Sequence, residues 1–135
     1  MRSLKLMMLV ASALATTGVA NAEMVVVVNA KNPASSLTAA QVADVYLGKD
    51  TSFAPLDLPE SAAERGTFYT KVAGKESAQV KAIWARLVFT GKSQPPKEAG
   101  SSADAVKQVA SNDRGMAYVD KSAVDGSVKV VLTVQ

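Results

Sequence analysis

The run Leu56-Asp57-Leu58-Pro59-Glu60-Ser61-Ala62-Ala63-Glu64-Arg65-Gly66-Thr67-Phe68 holds the residues best placed to do chemistry, and that chemistry is the holding of a small anion. It reads as a short strand, a proline stop and a helix start. Ser61 and Glu64 stand at capping-box spacing, which predicts Ser61 as the N-cap. A helix start presents unpaired backbone N–H groups and partial positive charge, so it can hold an oxyanion. Arg65 adds a planar fork of donors, Gly66 a bare backbone and Thr67 a hydroxyl. Ser61, Arg65, Gly66 and Thr67 are therefore the candidate ligand-binding residues. The competing reading is structural: Ser61 only caps a helix, and Arg65 only pairs with Glu60 or Glu64 at the surface.

Catalysis has less to work with. The chain has no histidine, hence neither the commonest general base nor the commonest metal ligand, and no cysteine. Gly74-Lys75 is followed by Glu76, and Gly91-Lys92-Ser93 lacks the earlier glycine, so neither is a phosphate loop. No G-x-S-x-G elbow is present. The expectation is a protein without enzymatic activity, metal or cofactor.

The start of the chain, Met1-Arg2-Ser3-Leu4-Lys5 followed by an apolar run from Leu6 to Ala15 and then Ala20-Asn21-Ala22, has the three parts of a cleaved secretory signal. The apolar run is too short to span a bilayer. The expected organisation is a signal peptide, residues 1–22, and one domain, residues 23–135, exported to the periplasm or medium. The formal net charge of +3 includes Arg2 and Lys5, so the exported part is close to neutral. It carries no basic run, which argues against nucleic acid and anionic membrane as partners. Without cysteines, an exported domain must rely on its hydrophobic core.

The rest of the chain supplies the elements that position the candidate residues. Met24 to Val28 is a continuous β-branched run, apolar on both faces, and reads as a buried central strand. Thr38 and Gln41 form a capping box before a helix whose Val42, Val45 and Tyr46 share one face, ended by Gly48. Phe53 to Leu58, with Pro55 inside, reads as an edge strand. The helix after Ser61 carries Phe68 and Val72 inward and closes at Gly74. Ser77 is expected to cap the next helix, with Val80, Ile83, Trp84, Leu87 and Val88 on its inner face and Gly91 at its end. Lys92 to Gly100 reads as a loop stiffened by Pro95-Pro96. A helix beginning at Ser101 or Ser102 follows, then a strand at Met116 to Val119. Val128, Val130, Leu132 and Val134 alternate in the last strand. The order β-α-β-α-α-α-β-β defines an α/β fold with a single mixed sheet flanked by helices.

Four segments in series carry a resemblance: Val25-Val26-Val27-Val28-Asn29; Leu37-Thr38 through Val42-Ala43-Asp44-Val45-Tyr46-Leu47-Gly48-Lys49; Gly66-Thr67-Phe68-Tyr69-Thr70; and Gly115-Met116-Ala117-Tyr118-Val119. Together they resemble the periplasmic phosphate-binding proteins of ABC transporters, from about Met24 to Val124. The resemblance implies one lobe of a type II periplasmic-binding-protein fold, with phosphate or another small oxyanion as ligand. Family members clamp the anion between two lobes, and this chain is similar to one. The family's anion loop resembles Arg-x-Asp-x-Ser-Gly-Thr. Gly66 and Thr67 match it, whereas Ser61 stands at its Arg, Ala63 at its Asp and Arg65 at its Ser. The alternative is an accessory domain that has lost the anion site and serves contact with a periplasmic or membrane protein or a second copy of itself.

Overall fold

The computed structural model describes residues 23–135; the predicted signal peptide, residues 1–22, lies outside the described residues. Five strands form one mixed sheet in the order β3-β2-β4-β1-β5. They are β1 (Met24–Asn29), β2 (Ala54–Asp57), β3 (Lys97–Glu98), β4 (Gly115–Asp120) and β5 (Val128–Val134). Strands β2, β3 and β4 run parallel, and β1 lies antiparallel to both β4 and β5. The continuous valine run of β1 follows from this place: every residue of the strand is buried, because both sheet faces are covered. Each such valine contributes about 1.5–3 kcal/mol relative to exposure.

The two faces carry separate cores. Val26, Val28, Met116 and Tyr118 point to the side covered by α1 (Ala39–Tyr46), α2 (Ala63–Phe68) and α3 (Ser77–Phe89). Val25, Val27, Ala117 and Val119 point to the side covered by α4 (Ser102–Ala110), through Ala105, Val106 and Val109. The Thr38–Gln41 capping box forms as its spacing predicts. Gly48, Gly74 and Gly91 take positive φ after α1, the α2 segment and α3. At Gly48 a side chain is doubly excluded, since a Cβ would lie 2.8 Å from Leu87 Cδ1 and 3.1 Å from Trp84 Cη2.

Several expectations need correction. Strand β2 is internal, and β3 completes the edge where a loop was expected. Pro55 is tolerated there because β3 pairs only with Leu56 and Asp57, so nothing on that side needs a donor from residue 55. The N-cap of α3 is Glu76, one residue before Ser77, in a capping box with Gln79. Only Val80 and Trp84 of α3 are buried, and Val88 is 45% exposed. In β5 a bulge opposite Val26/Val27 removes Val131 from the pairing and shifts the alternation: Val128 and Val131 face inward and Val130 is exposed. Finally, α2 continues into a widened π-turn, Tyr69–Ala73. Phe68, the last residue of α2, and Tyr69, the first of the π-turn, are both buried.

Candidate functional site

Strand β2 delivers Asp57 to the inner layer, where its side chain is only 4% exposed. Isolated there, a carboxylate would be costly. The fold surrounds it with donors: Tyr69 Oη donates to Oδ2 at 2.7 Å, Tyr118 Oη donates to Oδ1, and the Leu58 N–H donates to Oδ1 at 3.1 Å. Tyr69 arrives through the π-turn and Tyr118 from the neighbouring β4. Tyr46, Phe68, Tyr69 and Tyr118 form one aromatic group, with Phe68 and Tyr118 stacked at 4.0 Å. Burial, then the nearby Asp57 carboxylate, push the Tyr69 and Tyr118 hydroxyls well above their ordinary pKa, so both remain donors.

Arg65 closes this cluster from the other side. Its Nη1 donates to the Leu58 carbonyl at 2.9 Å and to Glu98 Oε2 at 3.2 Å, and its Nε lies 3.7 Å from Asp57 Oδ1. Burial works against the Arg65 charge, but Asp57, with Glu98, outweighs it and raises its pKa.

The three parallel strands end on the same side of the sheet, at Asp57, Glu98 and Asp120, with β4 reaching two residues further than β2. A cleft of about 580 Å3 opens outside these carboxyl ends. In open α/β sheets this is the side on which ligands bind. The cleft is lined by Ser61 and Glu64 from the β2–α2 connection, by Ser101 and Ser102 at the start of α4, and by Asp120 and Ser122 after β4. Ser101 is the N-cap of α4 and accepts the Asp104 N–H at 3.1 Å; Ser102 Oγ accepts the Asp120 N–H at 3.0 Å. Acting as acceptors, both hydroxyls keep a proton to donate outward. Among the described residues no lysine or arginine lines this cleft, so attraction for an anion rests on hydroxyls and the nine-residue helix α4, against two carboxylates. Another hollow of about 490 Å3 sits at the amino ends of the same strands, beside Gln108 and Ser111 at the end of α4. Carbonyl groups crowd a helix end, which disfavours an anion there.

The predicted site residues separate. Ser61 lines the cleft, but it is not the N-cap: Ala62 takes that place and makes no side-chain cap bond. A turn closed by the Ala62 N–H on the Pro59 carbonyl, 2.9 Å, delays the helix, so the Ser61–Glu64 capping box does not form. Helix α2 is six residues long, too short to gather much dipole. Arg65 turns inward to Asp57 and Glu98, with a side chain 14% exposed, not to the surface pairing with Glu60 or Glu64. Thr67 Oγ1 donates to the Ala63 carbonyl at 3.2 Å within its own helix, and a Cβ at Gly66 would meet only open space. Sequence reasoning took Ser101 and Ser102 only as a helix start and missed Asp57, Tyr69 and Tyr118. The signal for Asp57 was an acid between Leu56 and Leu58 at the end of a strand.

Comparison with known proteins agrees with this architecture. No protein-family model and no curated protein matches the sequence. Solved structures do. One is a protein assigned as a phosphate ABC transporter substrate-binding protein from Clostridium perfringens, with bound phosphate (TM-score 0.66, 20% identity, 82% of this chain and 44% of that one). Another is an ABC-type phosphate transport receptor from Vibrio cholerae (TM-score 0.64, 19% identity, 82% and 45%). A third is PstS from Borrelia burgdorferi (TM-score 0.62, 7% identity, 82% and 47%). The fold is thus that of one lobe of a phosphate-transport binding protein, and the chain spans less than half the length of each of these structures.

Proposed function

We propose that this chain is an exported, non-enzymatic binding lobe that takes phosphate or another small oxyanion, weakly, in the cleft outside the carboxyl ends of β2, β3 and β4. The supporting observation is the convergence there of Ser61, Ser101 and Ser102 on the start of α4, at the ligand-binding side of the sheet. The ligand set is accordingly revised: Ser61 stays, Ser101 and Ser102 join, and Arg65, Gly66 and Thr67 lie outside the lining of the cleft. An amide NMR titration of residues 23–135 with phosphate, sulfate and acetate tests it. Saturable shifts are expected at Ser61 and from Gly100 to Ala103. A flat titration, or shifts confined to residues distant from the cleft, overturns the reading.

One observation favours a second reading, an accessory domain that binds another protein or its own copy. Phe89 at the end of α3 is 90% exposed beside the exposed Val88. Large exposed apolar side chains placed together mark contact surfaces. This reading gains over the first if the titration is flat and light scattering reports an association that Phe89→Ser abolishes.

A further inference from the structure

Helix α3 is apolar on two opposite sides, and the fold uses one of them. Val80 and Trp84 are buried, with Ile83 and Leu87 half-buried beside them. The opposite side carries Ala78, Ala82, Ala85 and Phe89, all exposed. At 3.6 residues per turn these four fall on one narrow stripe along the helix, with the exposed Val88 on its flank. A helix that is apolar all round is normally buried all round. Alanines alone would express helix propensity and nothing more. Phe89 adds to the same stripe a large side chain that gains from leaving water.

The stripe matches itself. Its spacings of four, three and four residues read the same from either end. The pair Ala78 and Phe89 and the pair Ala82 and Ala85 are therefore centred on one point of the helix, between Ile83 and Trp84. Let two copies of α3 meet antiparallel about a two-fold axis through that point. Phe89 then lies against the partner's Ala78 at both ends, large against small, and Ala82 lies against the partner's Ala85 in the middle. Small residues at the crossing let the helices approach closely, and the same patch serves both copies. Charge does not oppose the pairing. The stripe itself carries none, Lys81 on one flank is neutralised by Glu60 of its own copy at 2.8 Å, and the long stem of Arg86 on the other flank can keep its guanidinium in water. With its flanks, the face offers roughly 500 Å2 per copy, about 1,000 Å2 in all, the least that specific association needs.

We propose that the outer face of α3 is a homodimer interface, built from Ala78, Ala82, Ala85 and Phe89 in antiparallel register. This rests on the accessory-domain reading and names its partner, a second copy of the chain. None of the four residues lines the oxyanion cleft.

The test measures light scattering of the protein, as its host exports it, from about 1 µM to 1 mM. A reversible monomer–dimer equilibrium is expected, with Kd between about 10 µM and 1 mM. Ala85→Glu changes an exposed position and should weaken association about tenfold or more, by placing an unpaired charge at the crossing. Register is read by cross-linking, since the chain has no cysteine of its own. In the antiparallel pair the two copies of residue 82 are offset by about 4.5 Å along the axis, and those of residue 78 by about 16 Å. Mild oxidation should therefore link Ala82→Cys into a dimer and leave Ala78→Cys unlinked. A monomer at every concentration overturns the homodimer. Association that Phe89→Ser abolishes but Ala85→Glu leaves intact, or ready linkage of Ala78→Cys, overturns this pairing while the accessory-domain reading stands.

Discussion

Asp57→Ala should cost about 3–5 kcal/mol, the range found when one member of a buried ion pair is removed. The loss is large because the Asp57 carboxylate is shared. Without it, Tyr69 Oη and Tyr118 Oη lose their acceptor, and Arg65 keeps a charge 14% exposed with only Glu98 and the Leu58 carbonyl to hold it. Each orphaned donor carries its own desolvation penalty of about 1–3 kcal/mol. Against a total stability of about 5–15 kcal/mol for a domain, that is a large share. Urea denaturation of Asp57→Ala and Asp57→Asn checks it. The asparagine keeps the shape and one acceptor and should fall between wild type and the alanine variant. A loss below about 1 kcal/mol in the alanine variant would mean that the cluster does not carry the inner layer.

Trp84→Ala ranks second, at about 3–5 kcal/mol. Helix α3 holds to the domain by few residues, since only Val80 and Trp84 are buried. Trp84 also ties two elements by a directional bond, its Nε1–H donating to the Tyr46 carbonyl at the end of α1 at 2.9 Å. Removing the indole empties the space over Gly48 and leaves that carbonyl short of a donor. Hydrogen exchange should show the amides of Ser77–Phe89 losing protection before those of β1 and β4. Trp84→Phe retains most of the apolar contact and should recover the larger part of the loss. Protection of α3 equal to wild type in Trp84→Ala would refute its anchoring role.

What the sequence disclosed follows the reach of each signal. The Thr38–Gln41 capping box was legible because both partners lie within one turn. The valine run of β1 was legible because burial on both faces leaves no polar position. The α/β class followed from element order, and the single-lobe extent from the resemblance of the four segments. The β5 alternation failed at Val131, because a bulge depends on pairing with Val26 and Val27, a hundred residues upstream. The Ser61 cap failed because the Pro59–Ala62 turn holds Ser61 outside the helix, whose N-cap falls one residue later at Ala62. Arg65 was misdirected for a related reason. Its partners Asp57 and Glu98 lie on adjacent strands, and the short strand carrying Glu98 has only two residues, too few for any periodicity. Ser101 and Ser102 meet Ser61 only because β2, β3 and β4 run parallel and end on one side, a fact of topology that no local pattern holds.

We propose an open lobe that holds an oxyanion by hydroxyls and helix N–H groups. Water reaches the exposed side of such a ligand, so each hydrogen bond yields only about 0.5–1.5 kcal/mol. With the Glu64 and Asp120 carboxylates opposing and no lysine or arginine lining the cleft, a few such bonds less the cost of association leave about −4 kcal/mol, a Kd near 1 mM. The measurement is calorimetric titration of phosphate into protein held monomeric, with light scattering on the same sample. A millimolar Kd that weakens in Ser101→Ala is the expected result. Submicromolar binding by the monomer, or binding indifferent to Ser61→Ala and Ser101→Ala alike, would contradict the account.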